Sequence, residues 1–191
     1  MSTQRFLIVY GTHHGQSAQI AQHIAQVLQS AGTTMLVNGM DVPRSLSPGE
    51  FDGVIVGGSV QFNRHQRFLS QFVREHRDAL NAMPSAFFSV SGAGAGHSDA
   101  ERAQANGYIA EFLRETGWHP TSAASFGGAI AYTRYNPILR LVMRRIAAQK
   151  GQPTDTSRDH SFTDWTHVER FTTAFLSTVA QAPERHLHAL A

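Results

Sequence analysis

Short apolar runs alternate with stretches of helical spacing along nearly the whole chain, and glycines mark most of the changes of period. Phe6-Leu-Ile-Val-Tyr10 is a continuous apolar run ended by Gly11, the pattern of a strand buried on both faces of a parallel sheet. From Ser17 the period changes. Ile20, Ile24, Val27 and Leu28 recur at helical spacing, and Gly32 stops the stretch. Strand, glycine turn and helix open a βαβ unit. Met35–Val37 predicts a weak second strand and 52–57 a stronger third, reached through a loop with Pro43, Pro48 and Gly49. One helix follows, with Phe68, Leu69, Phe72, Val73 and Leu80 on its apolar face, and Met83-Pro84 ends it before a fourth strand at 86–90. The glycines of 92–96 predict a flexible loop. Tyr108, Ile109, Phe112 and Leu113 mark another helix stopped at Gly117, and 122–128 a short fifth strand. The spacing then predicts a basic amphipathic helix over 138–148. A last helix follows, with Trp165, Val168, Phe171, Phe175 and Val179 on one side, and Ser161-Phe-Thr-Asp164 ahead of it resembles a capping box. Alternation of strands with helices argues for a doubly wound α/β domain over residues 1–182, with a loose tail at 183–191.

Composition narrows this little, apart from one absence: there is no cysteine, which excludes disulfides, thiolate metal sites, iron–sulfur clusters and cysteine nucleophiles. The first residues run straight into an apolar segment without the form of a signal peptide, and no apolar run reaches the roughly 20 residues of a bilayer span. The expected location is the cytoplasm, with peripheral attachment to the inner face of the cytoplasmic membrane as an option. Net charge is only +2. It is unevenly spread: no acid lies between Glu115 and Asp155, a window holding Arg134, Arg140, Arg144, Arg145 and Lys150, so the rest of the chain is net negative.

Three loops carry the candidate chemistry. Gly11-Thr-His-His-Gly-Gln-Ser17 hands the first strand over to a helix, where free backbone N–H groups and the helix dipole favour a phosphate, and Thr12 and Ser17 add hydroxyls. His13 and His14 stand beside it as further donors. It has neither the lysine of a Walker A loop nor the G-x-G-x-x-G of dinucleotide folds, and such turns also open helices that hold no ligand. Gly57-Gly-Ser-Val-Gln-Phe62 follows the third strand, and Ser89 to Gly96 the fourth. In an open α/β sheet, loops beyond the carboxyl ends near the switch point form the ligand crevice. The candidate cofactor-binding residues are Thr12, His13, His14, Gly15, Gln16, Ser17, Ser59, Val60, Gln61, Phe62, Asn63, Ser89, Val90, Ser91, Gly92 and Gly94. Phe62 offers a face for stacking, although a lone phenylalanine also serves as packing.

These loops resemble the flavodoxin superfamily, which implies a five-stranded sheet of order 2-1-3-4-5 with helices on both faces and FMN at its carboxyl edge. Later segments are more specific. Met83-Pro-Ser-Ala-Phe-Phe-Ser-Val90, Phe112-Leu-Arg-Glu-Thr-Gly-Trp118-His-Pro120, Gly127-Gly-Ala-Ile-Ala-Tyr-Thr-Arg-Tyr135, Pro153-Thr-Asp-Thr156 and Thr163-Asp-Trp165 resemble, in order and over nearly the whole chain, the menaquinone-dependent protoporphyrinogen IX dehydrogenase family. The resemblance implies an FMN-dependent enzyme of haem biosynthesis that oxidises protoporphyrinogen IX to protoporphyrin IX and passes electrons to a quinone. Tyr132 and Arg134 are then expected on the substrate side. The chain departs from the family pattern at His13-His14, at the uncharged Gly92–Gly96 loop, and at Ala131 and Thr133 around Tyr132. A tetrapyrrole with two propionates calls for cations, and near these segments the sequence offers Arg102, Arg134 and His97.

No residue marks itself as a general base, so the catalytic residues stay unassigned. Two other readings fit the same loops: an NAD(P)H-dependent quinone reductase and a flavodoxin-type electron carrier, the second set against the basic segment. The eleven histidines show no metal-ligand spacing, and His186 and His188 sit in the tail. Nucleic-acid binding is not expected, because the basic stretch lacks interleaved aromatics. Helix 138–148 suits either an anionic membrane surface or packing on its own domain.

Overall fold

The computed structural model describes residues 3–96, 98–149 and 151–182. His97, Lys150 and the tail 183–191, with His186 and His188, lie outside the described residues. Five strands, β1 (Gln4–Gly11), β2 (Gly32–Asn38), β3 (Gly53–Ser59), β4 (Ser85–Ser91) and β5 (Ser122–Gly127), pair in parallel in the order β2-β1-β3-β4-β5, as the flavodoxin resemblance implied.

Side chains alternate across each strand and so supply two cores. Phe6, Ile8, Ile55 and Phe88 point to the face covered by α1 (Gln16–Leu28) and α6 (Trp165–Gln181). Leu7, Val9, Val56 and Phe87 point to the opposite face, under α2 (Arg67–Glu75), α3 (Arg77–Asn81) and α4 (Asp99–Thr116). Residues 6–9 are fully buried, the reason their run is apolar without alternation.

Three local expectations change. The single helix over 68–80 is two, because the backbone leaves helical geometry at His76 (φ −113°, ψ 16°). Asn81 then fastens α3: its Nδ2 donates to the Gly117 carbonyl at 3.2 Å and its Oδ1 accepts from the His119 amide at 2.8 Å, a tie invisible to periodicity. α4 begins well before its apolar half, at a capping box in which Ser98 Oγ accepts from the Glu101 amide. α6 is capped by Asp164, which accepts from the His167 amide at 3.0 Å, rather than by Ser161. Ser161 is spent elsewhere, accepting from Gln16 Nε2 at 3.0 Å.

A small cap lies over the carboxyl ends of the strands. It consists of β6 (Ala129–Ile130), a 3₁₀ turn (Tyr132–Arg134), α5 (Pro137–Gln149) and β7 (His160–Ser161), with β6 and β7 antiparallel. Its own core is the cluster of Ile130, Ala131, Tyr132, Tyr135 and Ala147.

Candidate functional site

The turn between β1 and α1 is built to gather positive charge. Gly15 adopts φ +97°, a left-handed conformation that glycine takes without strain, and its amide donates to Thr12 Oγ1 at 2.9 Å. A Cβ on Gly15 would lie 2.6 Å from Nη1 of Arg134, and that same Nη1 donates to the His14 carbonyl at 3.0 Å. Glycine here therefore admits both the turn and the arginine. Burial, then the charges of His13 and Arg134, hold the His14 imidazole below its ordinary range. Beneath the turn the Ser17 hydroxyl is fully buried and has no hydrogen-bond partner. An orphaned buried hydroxyl at a helix N-terminus, under a cation and with no acid on the cavity wall, fits a phosphate.

From this turn a cavity of about 360 Å³ runs under the cap. Ser59, Val60, Gln61 and Phe62 form one wall, Val90, Ser91 and Gly92 another. Gln61 and Arg64 exchange backbone hydrogen bonds at 2.9 and 3.1 Å, which leaves Phe62 (φ 49°) and Asn63 (φ 63°) as the two left-handed residues of a tight turn. A phenylalanine in that conformation costs on the order of 1 kcal/mol, and the hydrogen-bonded turn that imposes it sets the ring, 91% exposed, at the cavity rim. The roof is apolar: Ile130, Tyr135, Phe162 and the α5 residues Leu139, Met143, Ile146 and Ala147.

The structure thus brings Thr12, His13, His14, Gln16, Ser17, Ser59, Val60, Gln61, Phe62, Val90, Ser91 and Gly92 onto one surface. Gly15 backs the turn from beneath Arg134. Ser89 is not on that surface, because strand alternation turns it to the other face, where its hydroxyl meets His65 Nε2 at 3.0 Å. Gly94 lies against the Phe126 carbonyl, and Asn63 takes a hydrogen bond from Tyr108 outside the cavity. Tyr132 does not line the cavity. It is fully buried in the cap and donates to the Pro153 carbonyl at 3.0 Å. Arg134 moves to the phosphate turn, and Arg102 pairs with Asp99 on exposed α4.

Sequence reasoning did not place α5 over the site. The signal was present in Leu139, Met143, Ile146 and Ala147 at spacings of four, three and one, a face turned from Ile138 and Leu141, which are the most exposed apolar residues of the helix, while Leu139 and Ile146 keep 38% and 41% of their surface. Arg140 is not an outward charge either, since it donates to the carbonyls of Tyr132 and Tyr135 at 2.9 and 3.2 Å. Among the described residues no helix is long and apolar enough to cross a membrane, and no group of three or more potential ligands could hold a metal ion.

Sheet order, switch-point cavity and anion turn define a flavodoxin-like protein. Two solved structures share the fold: oxidised flavodoxin 1 from Bacillus cereus, with a TM-score of 0.54 at 16% identity over 91% of this chain and 97% of that one, and an archaeal flavodoxin, with 0.53 at 18% over 93% and 99%. The flavodoxin-domain profile matches residues 7–157. A relative from Escherichia coli K12, named protoporphyrinogen IX dehydrogenase [quinone], is 32% identical over 165 residues, 86% of this chain and 91% of that protein. One of the same name from Leishmania major is 31% identical over 94% of this chain and 78% of that protein. The chain belongs to the flavodoxin-domain family and, within it, to the protoporphyrinogen IX dehydrogenase [quinone] family. FMN is the cofactor of that domain, and the orphaned Ser17 hydroxyl and the acid-free turn fit its phosphate.

Proposed function

We propose that this chain binds FMN in the capped cavity and oxidises protoporphyrinogen IX to protoporphyrin IX with a quinone as electron acceptor. The observation that carries the reading is the buried, unpartnered Ser17 hydroxyl beneath a turn that Arg134 contacts, opening into a cavity with an apolar roof. Thr12 to Ser17 hold the phosphate, with Arg134 supplying charge from the cap. Ser59 to Phe62 and Val90 to Gly92 flank the ring, and Phe62 offers its exposed face at the rim. Bound FMN supplies hydride and electron transfer at its ring system. The roof of Leu139, Met143 and Ile146 keeps water from that ring.

The outer side of α5 suits a membrane-borne quinone. Ile138 and Leu141 are 79% and 63% exposed, Val142 is half exposed, and Arg144 and Arg145 follow on the same helix. An apolar strip with cations beside it favours an anionic bilayer surface. The test is anaerobic oxidation of protoporphyrinogen IX by FMN-loaded protein, read as porphyrin fluorescence, with the quinone dissolved in vesicles of anionic or of zwitterionic lipid. Porphyrin should form only with quinone present, and faster on anionic vesicles. No quinone-dependent porphyrin would overturn the enzymatic reading, and equal rates on both lipids the membrane one.

A further inference from the structure

A second, polar groove of about 800 Å³ lies beside the capped cavity, between α2 and α4, and the two share His13 and Gln61 on their walls. Its volume falls within the roughly 300–1,000 Å³ of small-molecule sites. Three arginines line it: Arg64 in the turn after Phe62, and Arg67 and Arg74 on α2. Arg67 and Arg74 are seven residues apart and so on one face, about 10 Å from each other along the helix axis. None of the three side chains has a hydrogen bond or ion pair among the described residues. Elsewhere on the surface Arg77, Arg102, Arg114 and Arg158 each pair with an acid. The acids in the groove are Glu111 and Glu115. Arg114 holds Glu111 through contacts of 2.6 and 3.0 Å, and Arg64 adds to the positive field on that carboxylate without contacting it. With Arg64, Arg67 and Arg74 set against Glu115 and an already paired Glu111, the groove carries an excess of positive charge next to the exposed Phe62 ring.

We infer that this groove is the carboxylate subsite of the substrate: Arg64, Arg67 and Arg74 receive the acidic side chains of a dianionic tetrapyrrole whose macrocycle lies across Phe62 at the mouth of the cofactor cavity. The inference rests on the porphyrinogen reading above and supplies the cations that Arg102, paired on α4, and Arg134, engaged at the phosphate turn, do not. Guanidinium groups match carboxylates in geometry and charge, and the aromatic face matches the ring. Tyr108 and Gln71 on the walls add neutral polar groups.

Binding separates this inference from the turnover claim. FMN-loaded protein is titrated with protoporphyrin IX and, separately, with its dimethyl ester, followed by porphyrin fluorescence, in the wild type and in R64Q, R67Q, R74Q and the triple variant. FMN affinity serves as the check that each variant is folded. The diacid should bind the triple variant roughly tenfold or more weakly than the wild type, each single variant accounting for about two- to fivefold, while the ester binds all five proteins alike. Salt should weaken the diacid alone. A diacid affinity within twofold of wild type in the triple variant overturns the subsite, whether or not the wild type turns over porphyrinogen. Arginine-dependent diacid binding by a wild-type protein that yields no porphyrin would keep the subsite and remove the proposed reaction.

Discussion

In the five-stranded body, β1 alone sets Phe6, Leu7, Ile8 and Val9 fully out of water, two towards each helical layer. In the cap over it, α5 buries a single residue, Ala147, and leaves Ile138 and Leu141 largely exposed. The body is held by apolar area, the cap mostly by polar ties. Arg140 donates to the carbonyls of Tyr132 and Tyr135, Thr133 to Asp159, Tyr132 to Pro153, and Gln16 to Ser161 and Thr163. Each such bond is worth about 0.5–1.5 kcal/mol net, against roughly 1.5–3 for each buried large apolar side chain. The body is therefore a rigid platform that presents the anion turn. The cap belongs to the low-stability end of the molecule, where ligand-binding segments are drawn from.

Breaking the body should have the largest effect. Gly57 in central β3 has no room for a side chain: a Cβ there would lie 2.1 to 2.3 Å from three ring atoms of fully buried Phe88. Gly57→Val is expected to cost about 3 kcal/mol or more and to lower the thermal midpoint by roughly 6–12 °C, with loss of FMN binding as a consequence of unfolding. A midpoint within 2 °C of wild type would show that the sheet around Phe88 is loosely packed and that the body is not the rigid part of the molecule.

A proton distinguishes the two regions next. His65 sits in the body, between the rings of Phe87 and Phe112 at 5.2 and 5.1 Å, and burial lowers its pKa from 6.5 to about 4. The unfolded chain takes up this proton near pH 6.5 and the folded one only near 4, so stability is full above 6.5, falls with pH through that window, and loses nothing more from this group below it. At pH 5.5 the loss is about 1.4 kcal/mol relative to pH 7.5. Urea titrations at the two pH values should show it in the wild type and not in His65→Gln; an equal loss in the variant would assign it to other groups.

Breaking the cap should have the smallest effect on folding and a selective one on the site. Tyr132→Phe removes only the hydrogen bond to Pro153, about 1 kcal/mol, and leaves the ring in place. The thermal midpoint of the FMN-free protein is expected to stay within about 3 °C, while FMN affinity falls by up to roughly fivefold as the roof loosens. A stability loss as large as that of Gly57→Val would mean that cap and body fold as one unit.

Much of this was legible along the chain because it is local. Fully apolar strands, glycine-stopped helices and a glycine turn leading into a helix follow from backbone sterics and side-chain period, and they place 12–17, 59–62 and 90–92 at one edge of the sheet. What failed was non-local. Tyr132 and Arg134 stand two residues apart, yet one is sealed in the cap core and the other reaches the His14 carbonyl, since the 3₁₀ turn between them points them apart. Ser89 is adjacent to Val90 in sequence and faces the other side of the sheet. Nothing in the sequence sets Arg64, Arg67 and Arg74 apart; the turn after Phe62 and the face of α2 bring them into one groove beside the cofactor cavity.

By itself, then, the sequence determined the sheet, its order through the family resemblance, and the anion turn, because strand burial and the left-handed Gly15 are properties of a few adjacent residues. Only the tertiary structure decided which face of α5 roofs the cavity, where Arg134 puts its charge and which arginines border the rim. Those depend on how a weakly buried cap and two separate helices settle against the body, and that information lies in contacts between residues far apart in the chain.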